Sequence, residues 1–550
     1  MQRFYLLTGF IMFLCFTNVK AQKKTLTESA GIEKPKIIIG LVVDQMRWDY
    51  LYRFYNRYSN GGFKRLLQKG FNFNNTLIPY APAVTAVGHA SIYTGSVGAI
   101  NGMVGNSWME RADGSYMYCV QDKLVTGVGA DGLSAKMSPR NLLSTTIGDE
   151  LRLATNFKSR VFGISLKDRG GIIPAGRSGN AAYWFDDNSG SWITSSWYMP
   201  QLPSWVNTFN SSRKIDSFML RDWDLLYERS SYVQSVADNN TFEKSMIYDT
   251  SRSFPHTYKK MIGKNYADFR YSPYGNTYTL DFSTRLIEME KLGTGTQTDM
   301  LCISLSSTDY IGHIFGPNSM EVEDTYLRLD KDLQQFLIFL DKKFGAGNYL
   351  FFLSADHGAP PVPDFMKENK MSAGHLNGYY GLMDSLNKLT LEKFGVRKIV
   401  KRVLEYQVYL DNKIIDSSKL NIREIKNVIV KYLKDHRDVV NAFDYENFHN
   451  VIMPVEIKEM FAKGYFYNRS GDIQFQLKPN YTDVTSKGTE HGTVYKYDTH
   501  IPLIWYGWKI KPGKTSREVY MTDIAPTIAA MLNIQMPNGS IGKVLPEIVN

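Results

Sequence analysis

Four short apolar runs along the chain each lead to a charged residue. The runs span residues 37–43, 161–166, 300–305 and 349–353, and they lead to Asp44, Lys167, Asp309 and Asp356. Because the runs are continuous and do not alternate with polar residues, they are typical of strands buried on both faces. The pattern predicts an α/β fold with a largely parallel central sheet flanked by helices. The charged residues are then expected at the carboxyl ends of the strands, where such folds bind ligands.

Helical periodicity and two irregular segments fill the chain between and after these strands. Ser138 and the following proline are expected to begin one helix as its N-cap and first residue. Other helices are predicted at residues 321–343, 422–435 and 523–532, a further strand at 501–506 and a hairpin at 406–413. Residues from about 190 to 280 and from about 365 to 485 are interpreted as insertions that form a cap or crown.

The composition, 43% hydrophobic and 21% charged over 550 residues, indicates a globular protein and excludes a disordered or fibrous one. Length alone would allow three or four domains of about 150 residues each. If a leader that includes Cys15 is removed, Cys119 and Cys302 remain, which permits at most one disulfide and no cysteine-built zinc site. Cys302 lies within an apolar run and is interpreted as a buried free thiol.

Residues 1–21 have the pattern of a cleaved secretory signal. A basic start at Arg3 precedes an apolar run at residues 4–16, and small residues end at Ala21. This run is shorter than the roughly 20 residues that span a bilayer. A periplasmic or secreted product without stable membrane insertion is therefore predicted. Loss of Arg3 and Lys20 lowers the net charge from +10 to +8.

Histidines and acidic residues recur together after the apolar runs. Asp309 and His313 are four residues apart, Asp356 and His357 are adjacent, and His491 follows a glutamate far downstream. A single aspartate at a strand end is more often a turn former or helix cap, but three such clusters exceed what chance explains. Imidazole and carboxylate without thiolate favour a divalent ion, with zinc as the leading candidate.

Other histidines give no such signal. His256, His436 and His449 lie in polar segments and are interpreted as surface residues.

Thr85 is the candidate nucleophile. It begins a segment of small residues, 85–95, after an extended stretch rich in proline, so it is expected where a helix starts. A hydroxyl there faces unpaired N–H groups and the positive end of the helix dipole, which suits phosphate. The alternative is that Thr85 is only the N-cap of that helix.

Together these segments resemble the alkaline phosphatase superfamily, in the branch of nucleotide pyrophosphatase/phosphodiesterases and phosphate-irrepressible alkaline phosphatases. The resemblance spans roughly residues 36–530. It implies two zinc ions, one bound by Asp309, His313 and His491, the other by Asp44, Asp356, His357 and Thr85 Oγ1. It also implies one catalytic domain over residues 22–550 with the two insertions, since these ligands run from 44 to 491.

The resemblance implies three residues that bind substrate. Asn106 matches an asparagine that contacts a phosphate oxygen, and Lys167 and Arg169 match a Lys-x-Arg that holds the transferred phosphoryl group in monoesterases. A phosphate monoester carries more negative charge than a diester, so this cationic pair favours monoesters. Alternatively, Lys167 and Arg169 lie at a solvated strand end and Asn106 in a turn.

The functional hypothesis is an exported, two-zinc alkaline phosphatase. It would hydrolyse a broad range of small phosphate monoesters through a phosphothreonine at Thr85 and release inorganic phosphate. We expect a monomer without a nucleic-acid partner. Two alternatives remain: a phosphodiesterase or nucleotide pyrophosphatase on the same scaffold, and a non-catalytic exported protein whose metals are structural.

Overall fold

A large mixed sheet forms the centre of the fold in the computed structural model, which describes residues 33–376, 378–484 and 486–549. The signal predicted at residues 1–21 lies outside the described residues. Within these ranges the sheet has eleven strands, the last of which, Val519–Tyr520, pairs beside Phe71–Leu77. In spatial order the other ten are Gly513–Thr515, Phe71–Leu77, His500–Gly507, Tyr349–Ser354, Ile37–Val43, Asp299–Leu305, Val161–Ser165, Ala181–Asp186, Ser191–Ser195 and Gly127–Val128.

The four predicted apolar strands lie next to one another and run parallel. Ile37–Val43 pairs in parallel with Tyr349–Ser354 on one side and Asp299–Leu305 on the other, and Val161–Ser165 continues the parallel order. Every residue in these four strands is buried, which explains their continuous apolar sequence. The strand predicted near 501–506 is confirmed as His500–Gly507, but it runs antiparallel to its neighbour.

Helices flank this sheet and extend into the two insertions. Those of eight or more residues are Thr85–Thr94, Ile147–Ala154, Asp168–Ala175, Ser204–Ser211, Tyr274–Met289, Ser307–Phe315, Met320–Phe344, Gly378–Phe394, Ile422–Asp435, Val455–Gly464 and Ile524–Leu532. Shorter ones are Tyr50–Arg53, Phe63–Lys69, Gly98–Asn101, Lys214–Met219, Pro363–Glu368, Asn412–Ser417, Lys496–Thr499 and Pro546–Val549. The helices predicted at 321–343, 422–435 and 523–532 are confirmed to within one residue at each end.

The prediction that a helix begins at Ser138 is wrong. Ser138 Oγ donates to Asp122 Oδ2 at 2.6 Å, and the chain stays irregular until the helix Ile147–Ala154. That helix has its own cap, since Thr146 Oγ1 accepts a hydrogen bond from Asp149 N at 3.1 Å. A serine followed by proline resembles a helix start, but here its side chain bonds to a distant carboxylate.

The hairpin is also displaced from its predicted place at 406–413. Its strands are Val400–Leu404 and Gln407–Leu410, and the turn between them uses two residues with positive φ, Glu405 and Tyr406. Asp411 does not turn the chain within the hairpin. Its side chain accepts from Ile414 N at 3.2 Å and caps a short helix.

The second predicted insertion contains its own four-stranded antiparallel sheet. Its strands in spatial order are Val400–Leu404, Gln407–Leu410, Ile473–Leu477 and Val439–Asp444. The helix Ile422–Asp435 packs an apolar face with Ile425, Ile429 and Leu433 into the core beside this sheet. Two further pairs of short strands are Ser107–Met109 with Tyr116–Tyr118 and Gly374–His375 with Tyr481–Thr482.

Both cysteines in the described residues, Cys119 and Cys302, are free and buried, which confirms the interpretation of Cys302. Each helix in the described ranges is too short or too polar to cross a membrane.

Because the central strands are buried on both faces, we expect Ile303→Ala to lower the free energy of unfolding by about 2–5 kcal/mol. Ile303 lies in the strand Asp299–Leu305 and is 1% exposed. The matched control is Ile452→Ala, at a side chain that is 95% exposed, where a change within about 0.5 kcal/mol is expected. Urea unfolding of both variants measures this, and equal losses would contradict the buried-sheet arrangement.

Candidate metal centre

The charged residues after the central strands meet at one edge of the sheet. Asp44 directly follows the strand Ile37–Val43, and Asp356 follows Tyr349–Ser354. Asp309 lies in the first turn of the helix Ser307–Phe315. All three carboxylates are buried, because the carboxyl ends of parallel strands open at the same edge and the neighbouring helices cover it.

The predicted ligands form two groups of three. In each group the candidate ligand atoms lie within 4.8 Å of one another. One group is Asp309, His313 and His491, and the other is Asp44, Asp356 and His357. Three imidazole or carboxylate donors are a common protein contribution to a catalytic zinc site, which leaves one position for water or substrate.

The first group is built around one carboxylate oxygen. Asp309 Oδ1 lies 3.2 Å from His313 Nε2 and 3.6 Å from His491 Nε2. In the second group, His357 Nε2 lies 3.5 Å from both Asp44 Oδ1 and Asp356 Oδ2. In both groups the Nε2 atoms face carboxylate oxygens across a gap of the size that a metal ion bridges.

The other nitrogen of each histidine is held by a main-chain carbonyl. These bonds are His313 Nδ1 to Thr489 O at 2.9 Å, His357 Nδ1 to Gly358 O at 3.0 Å and His491 Nδ1 to Ala83 O at 2.8 Å. A carbonyl can only accept, so Nδ1 carries the proton and Nε2 keeps its lone pair. This is the tautomer that a metal ligand needs.

The second group contains carboxylate oxygens that need a cation. Among the described residues, Asp44 Oδ1 and Asp356 Oδ2 are buried and have no hydrogen-bond donor. Burial, and then the charges of Asp309 and Asp356, raise the pKa of Asp44 well above its usual range. A bound divalent ion would supply both the missing partner and the missing positive charge. The residues present therefore fit a metal.

Lys167 links the two groups. Its Nζ lies 2.7 Å from Asp44 Oδ2, 2.5 Å from Asp309 Oδ2 and 3.4 Å from Thr85 Oγ1. Burial alone would lower the pKa of Lys167, but the charges of Asp309 and Asp44 hold it above its usual value. The ammonium group is therefore charged and lies beside the candidate nucleophile. A solvated strand end is ruled out, since Lys167 is 3% exposed.

Thr85 is the first residue of the helix Thr85–Thr94, and its hydroxyl faces the second group. Oγ1 lies 3.4 Å from His357 Nε2. The N-cap position belongs to Val84, and the Thr85 side chain makes no cap hydrogen bond, so the alternative of a plain N-cap is wrong. Gly88, one turn later, allows this approach, because a Cβ there would overlap the main-chain oxygen of Asp356.

Asn106 contacts the start of this helix, and Arg169 belongs to the helix Asp168–Ala175 that packs against it. Asn106 Oδ1 accepts a hydrogen bond from Ala86 N at 3.0 Å, so it lies beside the first turn of the helix. Arg169 Nη1 donates to Tyr118 OH at 3.0 Å, while the buried Arg169 Nε has no partner within the described residues. Both side chains thus keep donor capacity for an anion.

The sequence pattern missed residues that support these ligands. His89 lies four residues after Thr85 on the same helix; its Nδ1 is 2.9 Å from Thr85 O and 3.3 Å from Asp356 Oδ2. Its place one helical turn after the candidate nucleophile was a usable signal. Glu405 accepts from Asn106 N at 3.0 Å, and no spacing in the sequence indicates this contact.

His256, interpreted as a surface residue, is fully buried. Its Nδ1 lies 3.2 Å from Asp249 Oδ2 and its Nε2 3.3 Å from Glu321 Oε1. Burial alone would lower the pKa of His256, but hydrogen bonds to these two carboxylates raise it to about 9. The surface interpretation is wrong because a charged histidine in a polar segment can be paired on both sides and covered by aromatic rings.

Comparison with known proteins relates this chain to phosphodiesterases and alkaline phosphatases. The family model described as type I phosphodiesterase / nucleotide pyrophosphatase matches residues 38–501. The chain is 48% identical to alkaline phosphatase PhoV of Synechococcus elongatus, over 98% of each chain. It is 46% identical to a protein of Myroides odoratus named calcium-transporting ATPase, over 99% of this chain and 98% of the other.

A solved structure extends the likeness to three dimensions. Alkaline phosphatase PafA of Elizabethkingia meningoseptica is 44% identical over 94% of this chain and 95% of its own. Its crystal structure matches with a TM-score of 0.92 and covers 94% of this chain and 100% of that one. The predicted α/β fold with a largely parallel central sheet is thereby confirmed.

We expect divalent zinc to raise the thermal unfolding midpoint of chelator-stripped protein, because the ion binds the folded ligand groups and not the unfolded chain. At a free concentration about 100 times the Kd, this stabilisation is about 2.7 kcal/mol. His491→Ala, which removes one of three donors, should reduce the zinc-induced shift. His449→Ala, at an exposed histidine, should leave it unchanged. A zinc-independent midpoint in the unsubstituted protein would contradict the metal site.

Proposed function

The chain belongs to the type I phosphodiesterase / nucleotide pyrophosphatase family, and within this family we propose that it is a two-zinc alkaline phosphatase that hydrolyses phosphate monoesters through a phosphothreonine. One observation carries the proposal. A buried threonine hydroxyl at a helix N-terminus lies 3.4 Å from His357 Nε2 of one metal-ligand group and 3.4 Å from the charged Lys167, which also contacts the other group. A nucleophile, cation sites and an anion site therefore coincide.

Relatives over the full length support the activity. Two proteins named alkaline phosphatases are 48% and 44% identical to the chain. A variant of the second has also been solved, with substitutions at a threonine, an asparagine, a lysine and an arginine. The same four residue types occur here in the same order, as Thr85, Asn106, Lys167 and Arg169.

Zinc is the ion we propose for both groups, because the donors are imidazole and carboxylate in sets of three. When bound, the two ions would supply Lewis-acid charge that lowers the pKa of the Thr85 hydroxyl and stabilises the oxygen of the leaving group.

Thr85 is the proposed nucleophile. Its Oγ1 gives up its proton to solvent and forms a bond to phosphorus, the bond from phosphorus to the ester oxygen breaks, and the ester oxygen takes a proton from solvent as the alcohol leaves. In the second step water adds to phosphorus, the bond to Thr85 Oγ1 breaks, Thr85 regains its proton, and inorganic phosphate leaves. Two in-line displacements give overall retention at phosphorus.

Asn106, Lys167 and Arg169 would bind the non-bridging oxygens of the phosphoryl group. Lys167 offers a compact charge beside Thr85, and Arg169 offers a planar guanidinium that Tyr118 holds at 3.0 Å. Hydrogen bonds and charge placed in advance where negative charge resides are the main protein contribution to phosphoryl transfer. A diester presents one fewer charged oxygen and a second organic group, so the same site suits it less.

Phosphoanhydrides with a terminal phosphoryl group are a second proposed class of substrate. The Myroides relative carries the name of an ATPase. The terminal phosphoryl group of ATP has the same three non-bridging oxygens as a monoester, so Lys167 and Arg169 could bind it in the same way. The phosphodiesterase alternative differs here, because its substrate lacks one of these charged oxygens.

The cellular location, domain organisation and oligomeric state of the protein are proposed from the sequence. We propose export to the periplasm or medium after cleavage near Ala21, one catalytic domain over residues 22–550, and a monomer. Small phosphate esters, not nucleic acids or membranes, are the proposed partners.

Thr85→Ala should lower kcat for p-nitrophenyl phosphate by at least about 10³-fold, because the variant has no hydroxyl to attack phosphorus. Thr85→Ser keeps a hydroxyl and should retain measurable turnover and a covalent phosphoryl group. Acid quench followed by mass spectrometry detects that adduct in the unsubstituted protein and in Thr85→Ser. Zinc content and the unfolding midpoint serve as controls. Near-normal turnover by Thr85→Ala with normal zinc would exclude the covalent route.

Removal of the positively charged side chains of Lys167 and Arg169 should change substrate preference as well as rate. In Lys167→Ala/Arg169→Ala, kcat/KM for p-nitrophenyl phosphate should fall by about 10²-fold or more. The value for bis-p-nitrophenyl phosphate should fall less, because the diester has one fewer charged oxygen to lose contacts with. The control is Lys331→Ala. Lys331 lies in the helix Met320–Phe344, and its Nζ lies over the ring of Tyr227, a residue of the first insertion. An unchanged monoester-to-diester ratio would favour the phosphodiesterase alternative.

A further inference from the structure

Gln45 contacts carboxylates of both ligand groups. It follows Asp44 directly in the chain, its main-chain N donates to Asp356 Oδ1 at 3.2 Å, and its side-chain Nε2 donates to Asp309 Oδ1 at 2.8 Å. Asp44 and Asp356 belong to one group and Asp309 to the other. Gln45 is 3% exposed, so water does not compete strongly for these bonds.

The backbone at Gln45 is adapted to this double contact. Its φ is 64°, in the left-handed region that residues other than glycine rarely adopt. This conformation, immediately after the strand Ile37–Val43, turns the amide toward one group and the side chain toward the other. Gly312 leaves the room that the side chain needs, since a Cβ there would overlap Gln45 Oε1. A strained conformation held by its surroundings at such a site has a functional interpretation.

The oxygen that Gln45 binds is the one that faces the histidines. Asp309 Oδ1 lies 3.2 Å from His313 Nε2, whereas Asp309 Oδ2 takes the bond from Lys167 at 2.5 Å. Donors on both oxygens fix the rotation of the carboxylate. The neutral amide adds a hydrogen bond without adding a positive charge, so it does not repel a cation at the same oxygen.

We infer that Gln45 is a positioning residue that orients Asp309 toward its metal and couples the two ligand groups. This inference rests on the proposed two-zinc function and deepens it. Without the amide, Asp309 can rotate away from His313 and His491, and the ion of that group is held less tightly. Loss of an outer partner of a metal ligand costs about 10–100-fold in metal affinity or activity.

Three substitutions of Gln45 distinguish the effect of losing the side-chain amide from the effect of backbone strain. Gln45→Gly removes the amide and tolerates positive φ. Gln45→Asn keeps an amide and a residue type that tolerates positive φ, but it is one methylene shorter and should not reach Asp309. Gln45→Ala removes the amide and adds backbone strain. Gln407→Gly is the matched control, since Gln407 is a buried glutamine in the second insertion that accepts from Gly471 N at 2.5 Å.

The measurement is zinc content of the full chain during titration with a chelator, alongside kcat and KM for p-nitrophenyl phosphate and the unfolding midpoint of the stripped protein. In Gln45→Gly and Gln45→Asn, one of two zinc ions should leave at a free zinc level about 10–100 times higher than in the unsubstituted protein. We expect kcat to fall more than KM changes. Gln407→Gly should release zinc as the unsubstituted protein does, even if it lowers the midpoint.

Release of both ions at the unsubstituted level, with normal kcat, in Gln45→Gly would overturn the inference. A lower midpoint with unchanged zinc affinity would also overturn it, since that result describes a purely structural side chain. If the unsubstituted protein binds no zinc, the proposed function itself fails, and this outcome is distinct from the other two.

Discussion

Burial of three like charges at one edge of the sheet is the constraint around which the site is organised. Asp44, Asp309 and Asp356 are each at most 2% exposed. Such carboxylates repel one another and lose their hydration, which destabilises the fold unless positive charge and donors compensate. Lys167 supplies one charge between the groups, and the histidines present Nε2 lone pairs suited to cations. The parallel strands make this arrangement possible by opening their carboxyl ends at a common edge.

The proposed nucleophile, Thr85, is fixed relative to these charges by packing of its helix. Gly88 brings the helix Thr85–Thr94 against the main chain at Asp356, and His89 Nδ1 bonds to Thr85 O and lies 3.3 Å from Asp356 Oδ2. The second insertion also reaches the site, where Glu405 holds the main-chain N of Asn106. Burial raises the pKa of Glu405 to about 7. The insertion therefore contacts Asn106, a proposed substrate-binding residue, directly.

The sequence predicted the central strands and named the candidate ligands that the structure brings together, because both depend on local patterns: continuous apolar runs and acidic residues at their ends. It failed where a side chain bonds to a residue distant in the chain. Ser138 pairs with Asp122 instead of capping a helix, and His256 is buried between two carboxylates. The sequence did not indicate the role of Gln45 for the same reason, since its contacts are to residues 309 and 356. Its positive φ could not be predicted either, because glutamine rarely adopts that conformation.

Lysine suits position 167 because its ammonium group faces three oxygen atoms in different directions. An ammonium group has three donors that can point in different directions, whereas guanidinium donors lie in one plane. Lys167 Nζ has Asp44 Oδ2 at 2.7 Å, Asp309 Oδ2 at 2.5 Å and Thr85 Oγ1 at 3.4 Å. Two donors can thus remain on carboxylates of different groups while the third faces the atom that would carry the phosphoryl group. One compact cation can serve the ligands and the substrate together, and the planar Arg169, which donates to Tyr118, would bind the same anion.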